Sequence, residues 1–235
     1  MNFIKPKFWK KKISIITFIL LPISLLYNIF IYLKKYFSNQ IKFNIKIICV
    51  GNIYLGGTGK TPLAIEITRE IQNRNKKTVL IKKHYKNHLD EERLIKNIVK
   101  HSIFNKKRIA AIEEAEKKSF DVAVLDDGFQ DHSFKKDVNI ICFDSYQAFG
   151  NGFLLPAGPL RENINSLSKS NIVMINGKKN EFLEKRILKI SKDIKIFYSK
   201  YTPVNIQEFK NKKIFAFAGI GNPDNFFEIL KKNNL

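Results

Sequence analysis

The residues best suited to chemistry lie just after an apolar, β-branched run, Ile45–Val50. The chain continues Gly51-Asn-Ile-Tyr54-Leu55-Gly56-Gly57-Thr58-Gly59-Lys60-Thr61 and then Pro62. Glycines ahead of a Lys-Thr pair let backbone N–H groups wrap a phosphate, and the helix that follows presents the positive end of its dipole. The pattern assigns residues 54–61 to a nucleoside triphosphate, with Lys60 reaching the β/γ oxygens and the Thr61 hydroxyl available to Mg²⁺. Tyr54 stands where the usual GxxxxGK[ST] spacing has glycine. Pro62 suits the first helical position, where its missing N–H is no loss. A second run, Phe120-Asp-Val-Ala-Val-Leu-Asp126-Asp127-Gly-Phe-Gln130, ends in paired carboxylates. At the C-terminal edge of a parallel sheet such a pair faces the phosphate loop and can hold the metal shell.

Short apolar runs alternating with helical stretches must position these groups. Strands are predicted at 45–50, 78–81, 121–126, 138–143, 171–175, 195–198 and 214–218, and helices at 62–73 and 108–118, with a charged surface helix within 176–193. Several strands are apolar on both faces, as in a covered parallel sheet. The expectation is an α/β fold, a P-loop NTPase-like and mostly parallel sheet flanked by helices.

Ahead of it, residues 13–33 (ISIITFILLPISLLYNIFIYL) carry no charge. They are long enough to span a bilayer core and apolar on every face. Lys10, Lys11, Lys12, Lys34 and Lys35 flank the run, and Trp9, Tyr27, Tyr32 and Tyr36 lie near its ends, as at a membrane interface. Pro22 and Asn28 disfavour a straight spanning helix, and both flanks are positive, so spanning and interfacial arrangements stay open. The chain divides into a membrane-anchoring helix, 1–36, and a P-loop domain, 37–235.

The 235 residues carry a net charge of +21, from 36 Lys and 6 Arg against 21 acidic residues. Lysine rather than arginine dominates, which suits an anionic membrane surface better than base-reading, and no nucleic acid is expected as partner. Apolar content of 44% excludes a disordered chain. Cys49 and Cys142, far apart inside apolar runs, exclude a disulfide scaffold and a structural zinc site.

GGTGKTP, DDGFQ, Phe149-Gly-Asn-Gly-Phe-Leu-Leu-Pro-Ala-Gly-Pro-Leu-Arg161-Glu162 and Ala218-Gly-Ile-Gly-Asn-Pro223 occur in one order. In them, and in the N-terminal helix preceded by Phe8-Trp9, the chain closely resembles the tetraacyldisaccharide 4′-kinase family of lipid A biosynthesis. The resemblance implies an ATP- and Mg²⁺-dependent kinase at the cytoplasmic face of a Gram-negative inner membrane. It would phosphorylate the 4′-hydroxyl of a tetraacylated glucosamine disaccharide 1-phosphate to give lipid IVA. By the resemblance, Tyr54, Leu55, Gly56, Gly57, Thr58, Gly59, Lys60 and Thr61 bind ATP, and Thr61, Asp126 and Asp127 hold the metal. Leu89-Asp90-Glu91 resembles a segment whose Asp activates the acceptor hydroxyl, making Asp90, Lys60 and Asp127 the catalytic set. Arg108 and Gln130 are the implied substrate contacts.

The chain departs from the family in three places. Ile81-Lys-Lys-His-Tyr-Lys86 replaces a Ser-Arg-Gly-Tyr-Gly-Arg loop. Asp131-His132, read as a solvated pair, stands where a His usually follows DDGFQ. The sequence ends at Leu235, whereas family members continue through further strands to an Asp-His-His segment whose His is thought to pair with the catalytic Asp. His84 or His132 would then have to substitute. The competing readings are a membrane-attached P-loop ATPase or switch and a shortened, inactive nucleotide-binding homologue.

Overall fold

The computed structural model describes residues 5–11, 14–85, 89–203, 205–219 and 223–235. Lys12, Ile13, Lys86 and the Ile220–Asn222 part of the Ala218–Pro223 motif lie outside the described residues. Seven strands form one parallel sheet: β1 Lys46–Gly51, β2 Thr78–Lys83, β3 Ser102–Asn105, β4 Val122–Asp126, β5 Val138–Asp144, β6 Ile172–Asn176 and β7 Lys195–Ser199. Their order is β3-β2-β4-β1-β5-β6-β7, so β1 occupies the centre, between β4 and β5. Side chains of β1 alternate faces, so Ile47 and Cys49 face one way and Val50 the other. All three are buried, as in a sheet covered on both sides.

The helices are α1 Ile15–Tyr36, α2 Lys60–Asn73, α3 Leu89–Ile98, α4 Arg108–Lys117, α5 Glu181–Leu188 and α6 Pro223–Lys232. Helix α2 buries Ala64, Ile65 and Thr68, the first two in a cluster with Val50, Leu80 and Val124. Helix α4 buries Ala111, Ile112 and Ala115 beneath the opposite face. Helix α5 lies within the charged 176–193 stretch, and it is amphipathic rather than merely superficial, because Leu183 and Ile187 are fully buried.

Two expectations are corrected. Residues 214–218 are not a strand; Phe215 and Phe217 are exposed there and no neighbouring strand pairs with them. Four-residue β3 and ten-residue α3 lack the long periodicity that identifies an element from sequence. Pro62 is the third rather than the first residue of α2, still within the turn whose N–H groups have no intrahelical partner.

Helix α1 inverts the usual amphipathic rule. Its buried residues are the polar Thr17 and Ser24, while Ile15, Phe18, Ile19, Leu25, Leu26 and Phe30 are exposed. The polar stripe docks on segment 149–162. The Ser24 hydroxyl donates to Leu154 O at 2.9 Å and accepts from Ala157 N at 3.0 Å. Tyr27 donates to Arg161 O at 3.2 Å. Just before the helix, Trp9 Nε1 donates to Pro156 O at 3.1 Å, and Trp9 O accepts from Asn151 N at 2.9 Å.

Ser24→Ala would leave the Ala157 N–H and the Leu154 carbonyl buried without their partner. The expected loss is about 1–3 kcal/mol, read as faster amide hydrogen exchange across 151–161. Unchanged protection there would mean that the hydroxyl does not seat the helix.

Candidate active site

The phosphate loop runs from Gly51 at the end of β1 to Lys60 at the start of α2. Gly56 (φ +116°) and Gly59 (φ +86°) take backbone conformations that side-chain-bearing residues resist. Position 54 makes no such demand. Tyr54 is 2% exposed, packs in the core with Ile53, Phe149 and Leu160, and carries the Lys5 ammonium over its ring at 5.2 Å. That is the physical reason a tyrosine can stand where glycine is usual. Asn52 braces the loop from inside, its Nδ2 donating to Tyr54 O at 2.6 Å and to Thr58 Oγ1 at 3.0 Å.

The loop is also zipped to segment 149–162. Leu55 N donates to Pro159 O and Arg161 N donates to Ile53 O, each at 2.8 Å, and Tyr54 and Leu160 form an antiparallel bridge. This ladder delivers the Arg161 side chain to Asp127. Its Nη1 lies 3.0 Å from both carboxylate oxygens, and Lys60 Nζ lies 3.9 Å from Oδ1. Asp127 sits at φ +58°, just past β4, with its N–H bonded to Val50 O at 2.9 Å. Burial pushes its carboxyl up, but the Lys60 and Arg161 cations outweigh that and hold it below the usual carboxylate range.

Asp126 faces a different set. It is 1% exposed, and its Oδ2 accepts from Thr61 Oγ1 at 2.8 Å and pairs with the Lys82 ammonium. Lys82 lies opposite Asp126 in the β2–β4 register and reaches Glu91 Oε2 at 2.6 Å. Burial lowers the Lys82 pKa, and Asp126 and Glu91 more than reverse this, so the ammonium stays charged. Asp126 Oδ1 is buried with no hydrogen-bond partner among the described residues. An unpartnered carboxylate oxygen beside a threonine hydroxyl is an all-oxygen donor set that fits a hard divalent cation such as Mg²⁺. Among the described residues no group of three or more His, Cys, Asp or Glu gathers, so this site is sparse, as suits an ion that keeps waters and takes substrate oxygens.

Of the expected residues, Lys60, Thr61, Asp126 and Asp127 converge at the C-terminal ends of β1 and β4. Asp127 is gathered with cations rather than with Thr61. Arg108 donates from Nη2 to Asp127 O at 2.5 Å and from Nη1 to Asp131 Oδ2 at 3.3 Å. Gln130 Nε2 donates to Asn52 O at 2.6 Å, so it supports the loop from beneath. Asp90 is exposed in the first turn of α3, beside Glu91. His84 pairs with the buried Glu92, Nδ1 to Oε1 at 2.6 Å.

Asp131 and His132 are not a solvated pair. Asp131 accepts from Arg108 and, at 2.6 Å, from Ser133 Oγ, while His132 is buried with Nε2 3.9 Å from Glu162 Oε1. Sequence reasoning assigned no role to Arg161 or Lys82. Arginine's rarity among so many lysines was the available signal, since a fork donor at a carboxylate cannot be exchanged for lysine without loss.

With this geometry in hand, relatives can be compared. The profile of the family described as tetraacyldisaccharide-1-P 4′-kinase (LpxK) matches residues 16–102 and 90–235. The chain belongs to this kinase family. A tetraacyldisaccharide 4′-kinase from Pelagibacter ubique is 45% identical over 242 residues, covering 100% of this chain and 76% of the relative. One from Rickettsia canadensis is 34% identical, covering 98% and 74%. The crystal structure of LpxK from Aquifex aeolicus in complex with ATP shares the fold, with a TM-score of 0.71 at 23% identity over 94% of this chain and 79% of that one.

Burial, together with Lys169, Lys136 and Lys35, brings the pKa of His132 from 6.5 to about 4. A histidine depressed in the folded state stabilises fully above its unfolded pKa. That contribution is lost as pH falls from about 6.5 towards 4, because the unfolded chain takes up the proton first. Unfolding free energies from urea titrations are therefore expected to decline over this window in the wild type and to decline less in His132→Asn, by at most roughly 3 kcal/mol. Parallel slopes would refute a neutral buried imidazole.

Proposed function

We propose that the chain transfers the γ-phosphoryl group of ATP to the 4′-hydroxyl of a tetraacylated glucosamine disaccharide 1-phosphate, giving lipid IVA. The observation that carries this reading is the meeting of Lys60, Arg161 and Asp127 with the Thr61–Asp126 pair at one sheet edge, in a chain of this family.

Each residue's part follows from its place. Backbone N–H groups of 56–61 and the α2 N-terminus favour the triphosphate. Lys60, aligned by Asp127, reaches the γ-phosphoryl group and offsets charge that shifts to the β–γ bridging oxygen as that bond breaks. Thr61 and Asp126 are the residues that would hold Mg²⁺, which when bound supplies charge neutralisation of the β- and γ-oxygens. Asp90, exposed at the head of α3, accepts the proton of the sugar hydroxyl as the new O–P bond forms. Arg108 is close enough to Asp127 to address an anionic substrate from the same side.

The exposed apolar surface of α1 supports membrane attachment. The helix is long and apolar enough to cross a bilayer by length and composition. Its seat on segment 149–162 keeps the phosphate loop near lipid, so the substrate's acyl chains can stay in the bilayer. We assign it to the cytoplasmic face of a Gram-negative inner membrane.

The test is label transfer from γ-labelled ATP to the acylated disaccharide by the full chain in lipid vesicles. Lys60→Ala is expected to lower kcat/KM at least a hundredfold, and Asp90→Asn to lower kcat with little change in KM for ATP. ATP hydrolysis without lipid labelling, or full transfer by Lys60→Ala, would contradict the assignment.

A further inference from the structure

Lys82 is a cation inside the phosphate site that the mechanism above leaves without a task. It is 7% exposed, on a strand interior where an unpaired ammonium would be strongly disfavoured. Its Nζ meets Asp126 Oδ2, stands 2.6 Å from Glu91 Oε2 and lies 3.4 Å from Thr61 Oγ1. It therefore touches both groups proposed to hold the metal, on the same carboxylate oxygen that Thr61 uses. The β2–β4 register places Lys82 directly beside Asp126, so the contact is built into the sheet rather than being a chance rotamer of a surface lysine.

We propose that Lys82 is a resident cation of the phosphate site. It carries part of the positive charge that a divalent ion otherwise brings to Asp126, so that the loop accepts a triphosphate even when magnesium is scarce. This rests on the triphosphate-binding part of the reading above. An unscreened Asp126 would repel the β- and γ-oxygens; the ammonium cancels that repulsion without a metal. An arriving divalent ion in turn meets a like charge, and Glu91 offers the ammonium a second carboxylate to lean on as the ion takes its place. Lys82 thus makes nucleotide binding less dependent on metal, and Glu91 sets how readily Lys82 gives way.

The test is isothermal titration of the full chain in detergent micelles with the non-hydrolysable ATP analogue AMP-PNP, in EDTA and in saturating Mg²⁺. The readout is the ratio of the two affinities. Lys82→Gln is expected to bind the analogue at least tenfold more weakly in EDTA and to recover most of that in Mg²⁺, so the ratio grows about tenfold. Lys82→Arg should keep the wild-type ratio. A merely structural role for Lys82 would weaken both affinities alike and leave the ratio unchanged, which would overturn the proposal.

Should Lys82→Gln fail to fold, Glu91→Gln decides. This change at a half-exposed position removes the charge of the second carboxylate, and the ratio is expected to shrink several-fold as the ammonium is left to Asp126 alone. A ratio that stays or grows would overturn the proposal. Failure of wild type to bind AMP-PNP in either buffer would overturn the triphosphate reading itself, and this inference with it.

Discussion

One carboxylate holds the site together. Asp127 lies between Lys60 of the phosphate loop and Arg161 of a segment that follows it in sequence by more than thirty residues, and it adopts a left-handed backbone conformation to do so. Two cations of like sign would separate if nothing lay between them; the half-buried anion makes their proximity favourable. Neighbouring Asp126, the last residue of β4, serves Thr61 and Lys82. The chain turns into a left-handed conformation at Asp127, just past the strand, so one Asp-Asp pair serves two sets of partners: Asp127 aligns lysine and arginine, and Asp126 meets the threonine hydroxyl and the Lys82 ammonium.

Segment 149–162 joins this chemistry to helix α1. Its Leu154 and Ala157 backbone groups receive Ser24 of α1, its Pro159 to Arg161 backbone pairs with Ile53 to Leu55, and its Arg161 side chain reaches Asp127. The inverted polarity of α1 follows. A helix whose apolar side turns outward cannot dock through hydrophobic burial, so it docks through hydroxyls aimed at backbone groups, each of which needs a partner once buried.

The fold was largely legible in the sequence because its strands are apolar, β-branched runs and its phosphate loop is contiguous. Gly56, Gly59, Lys60 and Thr61 announce themselves because the chemistry requires them side by side. What stayed hidden depends on residues far apart. Arg161 reads as one letter of a motif until the chain brings it to Asp127. Lys82 reads as a departure from the family's loop until the β2–β4 register sets it against Asp126. His132 looks solvated beside a charged Asp131, yet it is buried beside Glu162. Residues 214–218 misled in the other direction: alternation marks a strand, but a strand also needs an edge to pair with.

The Asp127 charge joins the phosphate loop to segment 149–162 through Lys60 and Arg161. Hydrogen–deuterium exchange on Asp127→Asn, an isosteric change that removes only the charge, tests it most directly. Faster exchange is expected in two separate stretches, 53–61 and 153–161, with the β1 and β4 amides unchanged. Faster exchange confined to residues next to 127, with both distant stretches as protected as in wild type, would contradict it.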